Sequence, residues 1–207
     1  MESPRETDWH VVVPVKGGRG AKSRLRRSLD DETLVAAIIH DTLDVVARVV
    51  TPARVVVVTG DPEESTHAHA AGFAVVTDPG GGLNAACRAG VSSVRAGGAT
   101  AVAILLGDHP ALLPDELLSA LDAGAALETF FVPDADGLGT ALLGTNALSM
   151  PDLAFGPDSA ARHATLGHKL LDLDLPGLRH DVDDERSLRH AAAHLTLGPR
   201  TREALGR

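Results

Sequence analysis

The stretch TAVAILLGD, from Thr100 to Asp108, is an almost wholly apolar run that ends in a glycine and an aspartate. A similar run, VVVVT, ends at Thr59 and is followed by Gly60 and Asp61. Short runs of this composition are typical of central strands in a parallel sheet, because such strands are covered on both faces. The two runs therefore predict a parallel sheet whose strands end in polar residues.

Other β-rich runs alternate with helical runs on both sides of this stretch. The predicted strands are His10–Val15, Arg54–Thr59, Phe73–Thr77, Thr100–Leu106 and Thr129–Val132. The predicted helices are Asp30–Val50, Pro62–Ala71, Leu83–Ala96 and Pro114–Ala126. This order indicates right-handed βαβ units, and therefore an α/β fold with an open, doubly wound, mainly parallel sheet. Ligands bind at the carboxyl ends of such strands, so we expect the aspartates there to face one crevice.

After residue 133 the alternation is lost. We expect a hairpin-like crossing over DADGLGTALLG, a short helix after FGPDS, and then a strand and a helix that begins near Asp184. Asp184 is the preferred cap of that helix, with Asp183 its competitor. Residues 1–8 and the last ten residues are expected to be loose or peripheral, and residues 1–207 to form one domain.

Composition excludes several classes of protein. A net charge of −9 and an aromatic content of 2% argue against nucleic-acid binding, which needs a basic footprint or stacking rings. Cys87, the only cysteine, cannot form an internal disulfide and is expected to be packed rather than nucleophilic. The sequence has neither a leader pattern nor an apolar run near the roughly 20 residues of a membrane span, so we expect a cytoplasmic protein.

A glycine-rich basic loop, KGGRGAKSRL, follows the first predicted strand. It is not a P-loop, because Lys16 and Ala21 stand where that motif needs glycines before Lys22-Ser23. It is not a dinucleotide-binding loop either, because Ser23 replaces the third glycine. The chain has three lysines, and two of them, Lys16 and Lys22, lie here. Lysine suits phosphate oxygens, but a solvated basic loop remains the alternative.

Three aspartates are candidates for metal binding. Asp108 follows a buried-looking strand, where it would point into the crevice, although it could instead form a turn before Pro110. Asp181 and Asp183 are two residues apart and share one face if the chain is extended. Together with the lysine loop, they suggest Mg²⁺ held between carboxylates and nucleotide phosphates.

A second anion site is suggested by GLGT at 137–140 and FGPDS at 155–159. Thr140 and Ser159 offer hydroxyl groups, and Gly156 offers an uncluttered backbone N–H. Ordinary turn and cap chemistry is the alternative. His190 and His194 have i,i+4 spacing but lack the glutamate of the zinc motif H-E-x-x-H. Two phosphate sites beside one metal would suit a transfer between two substrates.

Several motifs together resemble the CofC/FbiD family of guanylyltransferases: PVK followed by AKSRL, then LNAA, LLGDHPAL, GLGTALL, FGPDSAARH and LRHDVDDERSL. The resemblance runs from about Trp9 to about Pro199. It implies a three-layer, MobA-like nucleotidyltransferase fold with a mainly parallel central sheet. It also implies transfer of GMP from GTP to a small phosphorylated three-carbon acid, with release of pyrophosphate, in coenzyme F-420 biosynthesis.

The resemblance assigns roles residue by residue. Asp108, Asp181 and Asp183 would bind Mg²⁺, and Thr140, Gly156 and Ser159 would hold the acid's phosphate. Lys16, Lys22 and Asp108 would be catalytic. The nucleotide would contact Pro14, Lys16, Lys22, Arg24, Asp61 and Asn84. His109 departs from the family pattern, which favours leucine there, and it could contact substrate or point away.

The sequence indicates the identity of the acceptor acid less strongly than it indicates the reaction. Ala160 and Ala161, which follow the second anion site, offer no partner for an extra hydroxyl, and this disfavours 3-phosphoglycerate. The bacterial branch of the family favours phosphoenolpyruvate, with 2-phospho-L-lactate second. The alternatives are a sugar-phosphate or molybdopterin nucleotidyltransferase, a non-catalytic nucleotide-binding module, and a structural partner in a biosynthetic complex. The resemblance also allows a transient contact with the next enzyme of the pathway.

If the glycine-rich basic loop binds the GTP phosphates, Lys22→Ala should impair GTP binding or turnover. We expect weaker GTP binding or slower turnover, because a charge beside the phosphates is lost. Raising the salt concentration should also weaken GTP binding, since exposed charges are screened. Steady-state kinetics at low and high salt measure both effects, and unchanged kinetics in both tests would identify the loop as a solvated surface segment.

Overall fold

The computed structural model describes residues 8–15 and 32–206 of the chain. Seven strands of these residues form one sheet: β1 (Trp9–Pro14), β2 (Val55–Thr59), β3 (Ala74–Thr77), β4 (Ala101–Leu105), β5 (Thr129–Pro133), β6 (Thr140–Thr145) and β7 (Lys169–Leu170). Eight α-helices are described with them: α1 (Glu32–Val49), α2 (Pro62–Ala70), α3 (Leu83–Ala96), α4 (Pro114–Gly124), α5 (Ser159–Thr165), α6 (Pro176–Arg179), α7 (Glu185–His194) and α8 (Pro199–Leu205). None of these helices is both long and apolar enough to cross a membrane.

The strand order is β3-β2-β1-β4-β6-β5-β7. Strand β6 alone among these seven runs antiparallel to its neighbours β4 and β5. The remaining pairs are parallel. The mainly parallel sheet and the hairpin-like crossing after residue 133 are therefore both confirmed, because a short turn over 134–139 can join only antiparallel neighbours.

Helices cover both faces of the sheet and produce three layers. Alternate residues of β1 point to opposite faces: Val11 and Val13 pack with the cluster that includes α1 and α4, while Val12 packs with the cluster that includes α3. Helix α3 approaches the sheet closely at Gly90, where an added Cβ would lie 2.3 Å from Val12 Cγ1. A glycine is required there because a larger residue would push the helix away from the strand.

Cys87 lies on the same face of α3 and is fully buried. Burial raises the pKa of its thiol to about 12, so the group stays protonated at neutral pH. The prediction of a packed cysteine is confirmed.

The last ten residues differ from the sequence prediction. They form α8, which docks against α1, and Thr201 is completely buried. The buried carboxylate of Asp41 on α1 accepts hydrogen bonds from the Arg200 N–H at 3.1 Å and the Thr201 N–H at 2.7 Å. The two donors belong to the first turn of α8, which has no cap from its own N-cap residue. The prediction of a peripheral C-terminus was wrong because a partner about 160 residues away supplies the missing cap.

Replacing Asp41 should therefore release α8. In Asp41→Asn the amide NH₂ must face one of the two backbone N–H groups, which leaves a buried donor without an acceptor. We expect the free energy of unfolding to fall by about 1–3 kcal/mol in urea denaturation. Asp44→Asn is the matched control: its carboxylate pairs with Arg200 at 2.9 Å on the surface, and its loss should cost less than about 1 kcal/mol. Equal stability of Asp41→Asn and the native chain would contradict this account.

Candidate active site

A cavity of about 680 Å³ opens at the carboxyl ends of the central strands. Pro14 and Val15 line it at the end of β1, and Leu106, Gly107 and Asp108 line it beyond the end of β4. Its volume is in the range of sites for small-molecule ligands, about 300–1,000 Å³. The crevice predicted from the strand ends is present. Pro14 lies in its wall, and its contact with a nucleotide stays a prediction.

One side of the cavity carries the three predicted aspartates. One carboxylate oxygen each of Asp108, Asp181 and Asp183 lies within 4.8 Å of the others. The Val182 N–H donates a hydrogen bond to the Asp108 backbone carbonyl at 2.9 Å, and the Val182 side chain is fully buried. Because alternate residues of an extended chain point the same way, Asp181 and Asp183 both project beside Asp108.

The three carboxylates are electrostatically costly without a cation. Burial raises the pKa of Asp108 well above its usual value, and the charges of Asp181 and Asp183 raise it further. Burial, then Asp183, then Asp134 raise the pKa of Asp181 to about 6. Asp108 Oδ1 is buried and has no hydrogen-bond partner within residues 8–15 and 32–206. An oxygen-only ligand set with an unsatisfied buried oxygen fits a hard divalent cation.

Asp184 is not part of this cluster. Its carboxylate accepts a hydrogen bond from the Ser187 N–H at 2.8 Å and caps α7, which confirms the predicted cap. Asp183 instead donates its N–H to Ser187 Oγ at 3.1 Å, and this leaves the Asp183 carboxylate for the metal cluster. Of the two aspartates, Asp184 is therefore the helix cap, because its carboxylate accepts from the first turn of α7.

The same cavity is lined by Thr140, Gly156 and Ser159. Thr140 begins β6, and Ser159 begins α5, with 3.1 Å between their hydroxyl oxygens. Gly156 adopts φ +120°, which favours glycine, and Asp158 is left-handed at φ 54°. The structure thus brings together the three residues of the predicted anion site, on a backbone shaped by two unusual conformations.

Two supports of this site were not found by sequence reasoning. The His163 side chain is hydrogen-bonded to the Thr140 hydroxyl, with 2.9 Å between Nδ1 and Oγ1. The Asp134 carboxylate accepts from the Leu138 N–H at 2.9 Å and the Gly139 N–H at 2.6 Å, and so closes the turn that leads into Thr140. The aspartate at the start of DADGLG is a recognisable turn signal. The i,i+4 spacing of Ser159 and His163 would have placed both residues on one helix face.

Asn84 has both polar atoms of its amide bonded to Phe155. Its Nδ2 donates to the Phe155 carbonyl at 3.0 Å, and its Oδ1 accepts from the Phe155 N–H at 2.9 Å. The pair of bonds orients the backbone just before Gly156. The observed role of Asn84 is therefore to hold the anion site, and its contact with a nucleotide stays a prediction.

Four further residues are predicted to contact the nucleotide: Asp61, Lys16, Lys22 and Arg24. Asp61 caps α2, where its carboxylate accepts from the Glu63 N–H at 2.7 Å and the Glu64 N–H at 3.2 Å, and it is not among the residues that line the cavity. Lys16, Lys22 and Arg24 lie outside the described residues. Their roles at the triphosphate stay predictions from the sequence.

His109 is completely buried beneath Asp108. Among the described residues, neither ring nitrogen has a hydrogen-bond partner, and Nε2 is 3.7 Å from Asp108 Oδ1, which is too long for a hydrogen bond. Burial, with a smaller contribution from His180, lowers the pKa of the imidazole to about 3. The ring is therefore neutral at pH 7, and His109 is not among the residues that line the cavity.

Comparison with known proteins identifies the family. The chain matches the family model of the MobA-like NTP transferase domain over residues 16–193. It is 43% identical to a phosphoenolpyruvate guanylyltransferase from Sanguibacter keddieii, over 96% of this chain and 84% of that protein. It is 45% identical to another from Salinispora arenicola, over 93% and 91% of the two chains.

Solved structures agree on the fold. A cytidylyltransferase from Leptospira borgpetersenii superposes with a TM-score of 0.58 at 11% identity, over 92% of this chain and 89% of that chain. A nucleotidyl transferase from Methanothermobacter superposes with a TM-score of 0.57 at 19% identity, over 90% and 96% of the two chains. The three-layer, MobA-like fold is confirmed. The chain is therefore a nucleotidyltransferase of the MobA-like NTP transferase domain family and belongs, as the motif resemblance predicted, with the phosphoenolpyruvate guanylyltransferases.

Proposed function

We propose that this chain joins GMP from GTP to phosphoenolpyruvate, with release of pyrophosphate, as a step of coenzyme F-420 biosynthesis. One observation carries the proposal: a single cavity is lined both by a carboxylate cluster and by a pair of buried residues that bear hydroxyl groups. The cluster suits a cation that accompanies a triphosphate, and the hydroxyls suit a second phosphate. The names of the relatives support GTP and phosphoenolpyruvate as the two substrates.

The proposed reaction is an in-line displacement. A phosphate oxygen of the acid attacks the α-phosphorus of GTP, a new P–O bond forms, and the bond to the β-phosphate breaks to release pyrophosphate. The attacking oxygen is already anionic at neutral pH, so neither a general base nor a covalent enzyme nucleophile is needed. Catalysis then depends on alignment of the two anions and on neutralisation of their charge.

The described residues supply the alignment. Thr140, Ser159 and the Gly156 N–H would hold the acid's phosphate, while Asp108, Asp181 and Asp183 would hold Mg²⁺. When bound, Mg²⁺ supplies the positive charge that lets two polyanions lie close together. In this proposal Lys16, Lys22 and Arg24 contact the GTP phosphates, Asp61 and Asn84 lie near the nucleoside, and Lys16, Lys22 and Asp108 are the catalytic residues.

The proposal also includes the number of domains in the chain and its location in the cell. The seven described strands form one sheet, which supports one nucleotidyltransferase domain over residues 1–207. A cytoplasmic location accords with the use of GTP.

The acid preference tests the proposed function. We expect pyrophosphate release with GTP and Mg²⁺ to show the highest kcat/KM for phosphoenolpyruvate, followed by 2-phospho-L-lactate and then 3-phosphoglycerate, because the residues after Ser159 offer no partner for an extra hydroxyl.

Asp108→Asn should lower kcat/KM by about 10²–10³-fold, or about 3–4 kcal/mol, because a proposed metal ligand is lost. Asp122→Asn, an exposed change on α4, is the control and should be fully active. A preference for 3-phosphoglycerate would contradict the acceptor, and full activity of Asp108→Asn would remove that residue from the site.

The raised carboxylate pKa values predict how stability depends on pH. The folded-state pKa of Asp181, about 6, exceeds its ordinary value of 3.8, so the folded chain binds more protons than the unfolded chain between these values. Stability of the metal-free protein should therefore fall as pH rises from about 4 to about 6. Asp181→Asn should flatten this fall and raise the free energy of unfolding at pH 7 by about 1–2 kcal/mol.

Urea denaturation in a chelator, repeated along a pH series, measures this effect. Added Mg²⁺ should stabilise the native chain more at pH 7 than at pH 5, because the ligands must be deprotonated. The same Mg²⁺ should stabilise Asp181→Asn much less. An Asp181→Asn variant that is less stable than the native chain at pH 7 would contradict the proposed repulsion within the cluster.

A further inference from the structure

We propose that His163 is a positioning residue for the acceptor phosphate, because it makes the Thr140 hydroxyl a hydrogen-bond donor that faces the cavity. The inference rests on the proposed function and deepens it, since it explains how the site presents donors to an anion. His163 itself does not line the cavity. It acts through Thr140.

The position of His163 is defined by two hydrogen bonds. The imidazole is fully buried on α5, with Nδ1 2.9 Å from Thr140 Oγ1. On its other side, the Ala154 backbone N–H lies 3.0 Å from Nε2. Phe155 packs edge-on against the ring, with 5.1 Å between the centroids, and His168 does the same at 5.4 Å. The ring therefore has one orientation and no access to bulk water.

The backbone bond determines the tautomer. An amide N–H can only donate, so Nε2 of His163 must accept from Ala154 and cannot carry a hydrogen. In a neutral imidazole the hydrogen then lies on Nδ1, which donates to Thr140 Oγ1. Burial, followed by the charges of His168 and Arg162, lowers the pKa of His163 to about 4, so the ring is neutral at pH 7.

The tautomer in turn determines what Thr140 offers to a ligand. Because Thr140 Oγ1 accepts from His163, its own hydrogen is free to point elsewhere. The Ser159 hydroxyl donates a hydrogen bond to Thr140 Oγ1 at 3.1 Å. When a phosphate is bound, the Ser159 hydroxyl can rotate its hydrogen from Thr140 to the phosphate. Both hydroxyls can then donate to a phosphate, most of whose oxygens are unprotonated acceptors at neutral pH. The opposite tautomer would consume the Thr140 hydrogen and leave Ser159 as the one hydroxyl donor of this pair.

A purely structural role is the alternative. His163 packs against aromatic rings and bonds to the Ala154 backbone, and either contact alone could explain its burial. A structural residue would change stability and affect both substrates alike. A positioning residue would change binding of the acid and leave binding of GTP almost unaltered.

Two variants separate the two hydrogen bonds of His163. The Gln side chain places its amide near the original Nε2, so His163→Gln keeps an acceptor for Ala154 and loses the bond to Thr140. The shorter Asn side chain places its amide near Nδ1, so His163→Asn keeps a donor for Thr140 and loses the bond to Ala154. The stabilities of both variants are compared by thermal unfolding.

We expect His163→Gln to raise KM for phosphoenolpyruvate about tenfold, with KM for GTP within about twofold of the native value. His163→Asn should retain most of the native KM for the acid. In a Thr140→Val background, His163→Gln should change KM for the acid by less than about twofold, because the group through which it acts is already absent. Equal losses for both substrates, or an additive loss in the Thr140→Val background, would overturn the proposal.

The tautomer can also be measured on the native protein, without any variant. The ¹⁵N chemical shifts of the His163 ring should show a protonated Nδ1 and an unprotonated Nε2, and a protonated Nε2 would overturn the proposal. Calorimetry with inorganic phosphate measures the anion site independently of the acid. If the native enzyme binds phosphate but does not transfer GMP to phosphoenolpyruvate, the proposed function fails. If it transfers GMP and His163→Gln behaves as native, only the role of His163 fails.

Discussion

The hydrogen bond from the Val182 N–H to the Asp108 carbonyl joins the end of a central strand to a loop more than seventy residues away, and the carboxylate cluster depends on it. The fully buried Val182 side chain holds this loop in place from beneath. Asp181 and Asp183 flank the valine and are thereby forced toward Asp108. Hydrophobic burial thus opposes the mutual repulsion of three carboxylates. Desolvation, and then this repulsion, raise the pKa values of Asp108 and Asp181. The carboxylate cluster lowers the stability of the metal-free fold, and it forms the proposed binding site for a cation.

The second half of the site is built from hydrogen bonds to backbone rather than from charge. Asn84 holds Phe155, His163 holds Ala154, and the Asp134 carboxylate holds the turn before Thr140. Each bond restricts a segment that would otherwise be a free loop. The net charge of −9 is compatible with the proposed binding of two anions, because local donors and a bound cation, rather than overall charge, would determine the potential in the cavity.

Much of this architecture could be predicted from the sequence. The apolar runs identified the central strands, and the position of Asp108 after one of them identified the edge where ligands bind. The alternation in DVDD predicted that Asp181 and Asp183 share one face, and the structure places both beside Asp108. These features are local, since periodicity and strand ends are encoded in consecutive residues.

The features that escaped prediction are those that depend on partners far apart in the chain. The docking of α8 rests on Asp41, which is about 160 residues from Thr201 and has no sequence pattern linking it to α8. The insertion of β6 between β4 and β5 depends on the packing of the whole sheet. The bonds from Asn84 to Phe155 escaped prediction as well, because nothing near Asn84 in the sequence reveals them. The role of His163 depends on a hydrogen position that only its two neighbours in space determine.

The central claim is that one cavity holds the metal on its carboxylate side and the acceptor phosphate on its hydroxyl side. A crystal structure with phosphoenolpyruvate, a non-hydrolysable GTP analogue and Mn²⁺, with the metal located by anomalous scattering, tests this claim most directly. The account predicts an anomalous peak within coordination distance of Asp108, Asp181 and Asp183, and the phosphate of the acid within hydrogen-bond distance of Thr140 and Ser159. A metal bound away from the three carboxylates, or an acid phosphate bound away from the two hydroxyls, would contradict it.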